Sequence, residues 1–229
     1  MMAIIQRPGS RDGAASTMRY TPQHKARTRS KILEQASHAL RAQGPHAVSV
    51  ATVMREAGLT HGGFYAHFDS KEALIEASVA KMFEDSQALW DRATQDRLPA
   101  EGLARYIDLY LCTRHLGARE RGCPVAALSS DVPRLSRPAQ VAFEQGVRRL
   151  TVLISQPLEV LGWPEPVKLA SSVLAEMVGC MCLARLQTSR RAALELLEAS
   201  RSSLRERLAL ARIPEGVEPT MKAAHHVPR

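Results

Sequence analysis

Between Ser49 and Glu72 the chain reads SVATVMREAGLTHGGFYAHFDSKE, and this stretch constrains the fold more than any other. Ser49 is a good N-cap, and Val50, Val53, Met54 and Ala57 follow at helical spacing, which predicts a short amphipathic helix. Gly58 supplies a tight turn. A second helix, capped by Thr60 and spanning about residues 61–66, carries two glycines and Tyr65 and is followed by His67. It is too small and too polar to be mainly a core element. Asp69-Ser70-Lys71-Glu72 has the form of a capping box, with Asp69 as cap and Glu72 three positions on, and opens a long helix to about Asp91. Two short helices around a glycine turn make a helix-turn-helix, and the second helix of such a unit enters the DNA major groove.

The same reading applied to the rest of the chain finds only helices. Thr21 and Pro22 open a helix to about Gln43, with Ile32, Leu33, Ala36 and Leu40 on one stripe and Gly44-Pro45 as its stop. Further helices are predicted over Glu101–Leu116 and over about 139–161, 165–188 and 190–211, with a short apolar segment after Cys123-Pro124. There is no credible strand and no internal repeat, so the fold class is all-α: a three-helix head with a larger helical C-terminal domain. The boundaries read as a disordered basic arm at 1–20, a DNA-binding head at 21–86 with its motif at 49–68, a ligand-binding and dimerisation domain at 87–213, and a flexible tail at 214–229.

Charge supports an anionic partner. The net charge is +8, and residues 1–81 hold eleven of the 31 Lys/Arg against six of the 23 Asp/Glu, so the surplus is concentrated around the motif. Double-stranded DNA is the expected partner, and no membrane is. The most apolar stretch, near 171–184, is too short to span a bilayer and contains Glu176. Cysteines at 112, 123, 180 and 182 form no C-x-x-C pair. A reducing, cytoplasmic setting is therefore expected, and the N-terminus lacks a signal-peptide pattern.

Within the motif, each residue type has a reason to meet DNA. Ser49 and Thr60 stand at helix starts, where hydroxyls and free N–H groups bind phosphate. His61 is the first outward side chain of the second helix and reaches base edges. Gly62 and Gly63 let its backbone approach closely. Tyr65 and His67 put polar tips at phosphate distance, and Lys71 adds a positive head. Phe64 and Phe68 read as core anchors. Arg27, Arg29 and Lys31 are expected on phosphates, with Arg19 or Lys25 as a minor-groove arm.

These residues carry a family resemblance. Thr28-Arg29 followed by Ile32-Leu33, then GLTHGGFYAHFDSKEAL from 58 to 74, resembles the TetR family of bacterial transcriptional regulators. The family pattern T-x-G-x-x-Y-x-H-F-x-x-K-E-x-L is met at Thr60, Gly62, Tyr65, His67, Phe68, Lys71, Glu72 and Leu74. His61 departs from it, since Lys, Arg or Pro is common there. The resemblance implies a homodimer, a C-terminal domain controlled by a small-molecule effector and, usually, repression of a palindromic operator.

The C-terminal half says less. Ser171, Ala175 and Gly179 recur every four residues, a strip of small side chains suited to close helix packing, and Leu194, Leu197 and Leu204 make a seam on the last helix. Both are expected at the dimer interface. Phe83, Trp90, Tyr106, Tyr110, Phe143 and Met177 are the candidates for lining an effector cavity. Cys123, between Arg121-Gly122 and Pro124 at an expected helix N-terminus, has Arg119 and Arg121 near it in sequence, a setting that lowers a thiol pKa. The segment GCPVAALSSDV at 122–132 resembles G-C-x-x-x-x-L-[SA]-x-[DE]-V in a branch of that family, some members of which sense electrophiles or oxidants through cysteine. The bland alternative is a small buried hydrophobe. No four-ligand metal spacing emerges and nothing calls for a cofactor. The chain is not expected to be an enzyme: it lacks H-E-x-x-H, G-x-S-x-G and phosphate-loop motifs, leaving a Cys123 nucleophile as the remote alternative.

Overall fold

The structure is a computed structural model and describes residues 21–210. The arm expected at 1–20, with Arg19, and the tail expected at 214–229 lie outside it. Among the described residues there are nine α-helices, three 3₁₀ turns and no strand.

The head begins with α1 (Pro22–Gln43), capped by Thr21, whose hydroxyl accepts from the His24 N–H at 3.3 Å. Its stripe of Ile32, Leu33, Ala36 and Leu40 is buried. Next comes α2 (Val50–Glu56), capped by Ser49 on the Thr52 N–H at 3.5 Å. Gly58 then turns the chain at φ +74 with open space where a Cβ would stand, so the backbone angle, not crowding, selects glycine. The recognition segment His61–Ala66 is a single 3₁₀ helix. Behind it runs α3 (Lys71–Thr94). Its cap is Ser70, whose hydroxyl accepts from the Ala73 N–H at 3.0 Å, and Asp69 stands one residue outside. Both residues are capable caps, and pattern alone placed the start one position early.

The C-terminal domain contains α4 (Pro99–Tyr110), α5 (Thr113–Gly117), a 3₁₀ turn at Arg119–Arg121, α6 (Pro124–Leu128), a 3₁₀ turn at Val132–Arg134, and three long helices. These are α7 (Arg137–Val160), α8 (Pro166–Arg185) and α9 (Arg190–Arg207). The single helix expected over Glu101–Leu116 is broken. Leu111 leaves the helical region (φ −91, ψ 52), and Cys112 restarts the chain as a thiol cap that accepts from the His115 N–H at 3.5 Å. Cysteine is not among the usual cap residues, which is why periodicity ran through the break.

Two packing devices join these helices. On α3, Phe83 meets Phe143 of α7 edge-on at 5.2 Å, and Gly146 permits the approach, since a Cβ there would fall 2.2 Å from the Phe83 ring. An aromatic ladder then runs from Trp90 through Tyr106 and Tyr110 to His115, with centroid spacings of 4.9, 6.3 and 4.6 Å. At the other edge α9 is tied down by Arg205 on Asp108 of α4 and by Arg207 on Glu176 of α8. The apolar stretch read as too short to span a bilayer belongs to a longer helix, and by length and composition α8 is apolar enough to cross a membrane, with mean hydropathy 1.6 over its window. Yet Glu176 at its centre pairs with Arg207 at 2.8 Å and accepts from the Ser200 hydroxyl at 3.1 Å. The helix packs between α7 and α9.

The two cap candidates are separable. Ser70→Ala is expected to destabilise the protein by about 1 kcal/mol in urea unfolding, whereas Asp69→Ala stays within about 0.5 kcal/mol. The reverse order would place the cap at Asp69.

Candidate nucleic-acid interface

The recognition helix is held from beneath and bare above. Phe64 and Phe68, 2% and 4% exposed, stack at 5.8 Å and anchor it to the head core. Between these anchors Tyr65 stands 68% exposed, and His61 and Gly62 are also exposed. A Cβ at Gly62 would meet nothing within 4 Å, while one at Gly63 would touch Met54 and Thr60 at ordinary contact distance. Thr60 occupies the cap position, but its hydroxyl makes no capping hydrogen bond, contrary to the cap expected from the sequence. Ser49 uses its own hydroxyl to cap α2. Lys71, in the first turn of α3, is half-buried.

A second row of cations flanks this face from α1. The Arg29 guanidinium lies 4.7 Å over the Phe68 ring, which fixes its position beside the recognition helix. His67 is half-buried with a buried, unpartnered Nδ1. Burial first, and then the neighbouring Lys25, Arg29 and His24, hold its imidazole below the ordinary histidine range. Lys25 lies inside α1 close enough to act on His67, so it is part of the head and not a flexible arm. The motif residues Thr60 to Lys71 and Arg29 thus fall in one region on the outer side of the head.

The C-terminal candidates are distributed differently. Phe83, Trp90, Tyr106, Tyr110, Phe143 and Met177 are all buried, at 6% exposure or less, and pack with one another as core. Two surface grooves are lined by none of them. One is a groove of about 430 Å³ between the α4–α5 junction and α9, and the other is a groove of about 230 Å³ beside α1 and α2. On α8, Ser171 and Ala175 are exposed and Gly179 is half-buried, in register with exposed Val167, Leu183 and Leu186. The α9 seam is another matter. Leu197 and Leu204 are 3% and 0% exposed inside the chain's own core, and only Leu194 remains half-buried. Their spacing matches a seam between partners and an intrachain core equally well, and α8 and α4 claim them.

Cys123 is buried, at 7% exposure, and stands before a helix of only five residues. Arg41 and Arg185, which are distant in sequence, act electrostatically with it. Arg41 was missed because it reads as a solvated residue at the end of α1, although it falls four residues after the buried Ser37 and eight after Leu33. Its side chain donates to Glu120 O, Met82 O and Asp85 Oδ2 at 3.3, 3.4 and 3.0 Å. Nothing local in the sequence marks Arg185 or His115, which meet Cys123 only through the fold.

Residues 32–78 match the family model described as bacterial regulatory proteins, tetR family. The head is thus similar to the TetR-type DNA-binding unit over these residues. Solved structures extend the likeness in fold beyond the head. Escherichia coli NemR in its reduced form is 21% identical, with 79% of this chain and 96% of that one covered at a TM-score of 0.69. A TetR-family transcriptional regulator from Agrobacterium tumefaciens is also 21% identical, covering 80% and 98% at 0.69. A TetR transcriptional regulator from Chloroflexus aurantiacus is 19% identical, covering 82% and 96% at 0.70. No curated protein matched the chain by sequence.

Two outcomes follow. Tyr65→Ala is expected to weaken DNA binding at least about tenfold while changing stability by no more than about 0.5 kcal/mol, because the ring lies mostly outside the core. Fluorescence anisotropy on duplex DNA with urea unfolding checks both. Burial pushes the His115 imidazole down to about 4. The unfolded histidine, near 6.5, therefore takes up a proton that the folded one refuses. Stability should fall as pH drops from about 6.5 towards 4, by up to about 3 kcal/mol, and His115→Gln should flatten that fall.

Proposed function

We propose that this chain is a ligand-responsive transcriptional regulator of TetR type: a repressor that binds a palindromic operator as a homodimer and leaves it when a small molecule binds. The observation that carries the reading is the bare face of the recognition helix, His61, Gly62 and Tyr65, on a head that matches the tetR model at residues 32–78. A helix with two core anchors on one side and no cover on the other suits a groove. Tyr65, His67, Lys71 and Arg29 are assigned to phosphate, and His61 to base edges.

The homodimer is assigned to α8. Val167, Ser171, Ala175, Leu183 and Leu186 form an uncovered strip at helical spacing, small at its centre and apolar at both ends. Two-fold pairing of such strips sets two recognition helices on one face of DNA, where successive grooves lie about 34–36 Å apart. Release follows from α3. One end is capped beside the recognition helix, and the other carries Phe83 and Trp90 into the C-terminal core. An effector that binds a tilted α3 better shifts the population away from DNA.

A thiol-controlled regulator using Cys123 is the second reading. It is favoured by the two arginines gathered at that thiol and by the fold shared with NemR, a protein crystallised in a reduced form.

DNase footprinting on the DNA upstream of the chain's own gene should give a palindromic protected region, and its absence there removes autoregulation. Ala175→Arg should convert the dimer to a monomer by light scattering and abolish the footprint; a variant that stays dimeric removes α8 from the interface. Cys123→Ser should bind DNA normally and lose any response to oxidants, and an unchanged response eliminates thiol control.

A further inference from the structure

The first half of α1 is a row of basic residues with no acid among them. From Pro22 to Leu33 it carries His24, Lys25, Arg27, Arg29 and Lys31, and the first carboxylate of the helix is Glu34. Lys25 and Arg29 stand one turn apart on one face, as do Arg27 and Lys31, and all four side chains are exposed. Like charges at that spacing repel, and the helix dipole disfavours positive charge in a first turn. No carboxylate of the described residues forms an ion pair with any of the four. The edge gathers positive charge at a cost that an outside anion would offset.

Lys25 and Arg29 are also the cations of this row that act on His67. The Arg29 guanidinium is held 4.7 Å over the ring of Phe68, the next residue after His67. Burial first, and then Lys25, Arg29 and His24, keep the His67 imidazole below the ordinary histidine range. Its Nδ1 is buried without a partner, so the charged ring would hold a buried N–H with no acceptor. The residue as a whole is only half-buried, and a ligand from outside meets the ring at Nε2. His24 is turned to Thr28, whose hydroxyl lies 3.5 Å from its Nδ1. The titratable groups on the other adjoining segments are His61 and Tyr65 on the 3₁₀ helix, and Asp69, Lys71 and Glu72 around the start of α3.

We propose that Lys25, Arg29 and His67 form one site for a backbone phosphate of DNA, and that filling it puts a second proton on the His67 ring. A phosphate oxygen accepts from His67 Nε2–H, and its charge is shared with Lys25 and Arg29. Without the anion, two cations beside a half-buried ring keep that ring neutral. With it, their repulsion is offset and the imidazolium is the better partner. The proton comes from solvent, so the head takes up protons as it takes up DNA. Linkage fixes the sign: affinity rises as pH falls through the range of the phosphate-bound ring towards that of the free ring, and levels off below both. Lys25, expected from the sequence as a minor-groove arm, is on this account a phosphate ligand fixed on a helix. The inference deepens the DNA-binding reading of the head and rests on it.

The experiment uses the full-length protein and two duplexes, one from upstream of its own gene and one of random sequence, at constant ionic strength. Fluorescence anisotropy follows binding from about pH 8 to about pH 6. Calorimetry in buffers of different ionisation enthalpy counts the protons exchanged. Affinity should rise about tenfold over that range, with net proton uptake. His67→Gln keeps an amide donor and does not titrate. It should bind with at most about a threefold loss at the alkaline end and lose most of the rise. Lys25→Gln changes an exposed side chain and serves if His67→Gln does not fold. With one repelling cation gone, it should move the rise to higher pH. His24→Gln and His61→Gln should keep the rise. Binding without proton uptake, or a rise that survives His67→Gln or stays in place in Lys25→Gln, overturns the site and leaves the regulator reading standing. Equal affinity for the two duplexes with proton uptake present upholds the site and ends sequence-specific regulation. No binding to either duplex at any pH overturns both.

Discussion

A guanidinium buried at the junction of head and body organises this molecule. Arg41 leaves the last turn of α1, the helix whose other end positions Arg29 over Phe68, and inserts between α3 and the 3₁₀ turn at Arg119–Arg121. Three acceptors from two separate segments hold it, and burial depresses its pKa while Asp85 opposes the shift. A buried charge of this kind tolerates little movement of its partners. The head therefore does not hang from α3 alone. It is joined to the body by the continuous backbone of α3, by the packing of α1 against α6 and by the polar clamp at Arg41, and the segment leading into Cys123 is one side of that clamp.

This attachment gives the recognition helix its rigidity. Phe64 and Phe68 seat it on the head core, and the head is braced against the aromatic packing of α3 with α4 and α7. The bare face of one short 3₁₀ helix offers few side chains to a partner. Holding those few in place reduces the ordering cost of binding.

The head was legible because its signals are local. Caps, a glycine turn and a four-residue hydrophobic spacing sit within two dozen residues of one another, and Thr21, Ser49 and Gly58 behave as their chemistry dictates. The misreadings have physical causes. Asp69 and Ser70 are both competent caps, and geometry chose the second. Cys112 caps α5 with a sulfur, outside the usual residue set. The α9 leucines satisfy a seam and a core with the same spacing, and only the third dimension assigns Leu197 and Leu204 inward. The surroundings of Cys123 were least legible. They come from α1, α4, α5 and α8, and residues 41, 110, 115 and 185 share no pattern along the chain. Short-range chemistry suggested Arg119 and Arg121, and the fold adds Arg41 and Arg185.

The uncovered strip on α8 has a consequence that lies outside recognition and sensing. Val167, Leu183 and Leu186 are each more than half exposed on a helix whose other faces are core. If a second copy covers them, folding and pairing are linked by mass action, and the free energy holding α8 in place rises with the amount of protein present. The molecule would then be sturdiest where it is abundant and most fragile at the low copy numbers that suffice for one or two operators. Turnover of the scarce, unpaired chain would be a means of setting its own level.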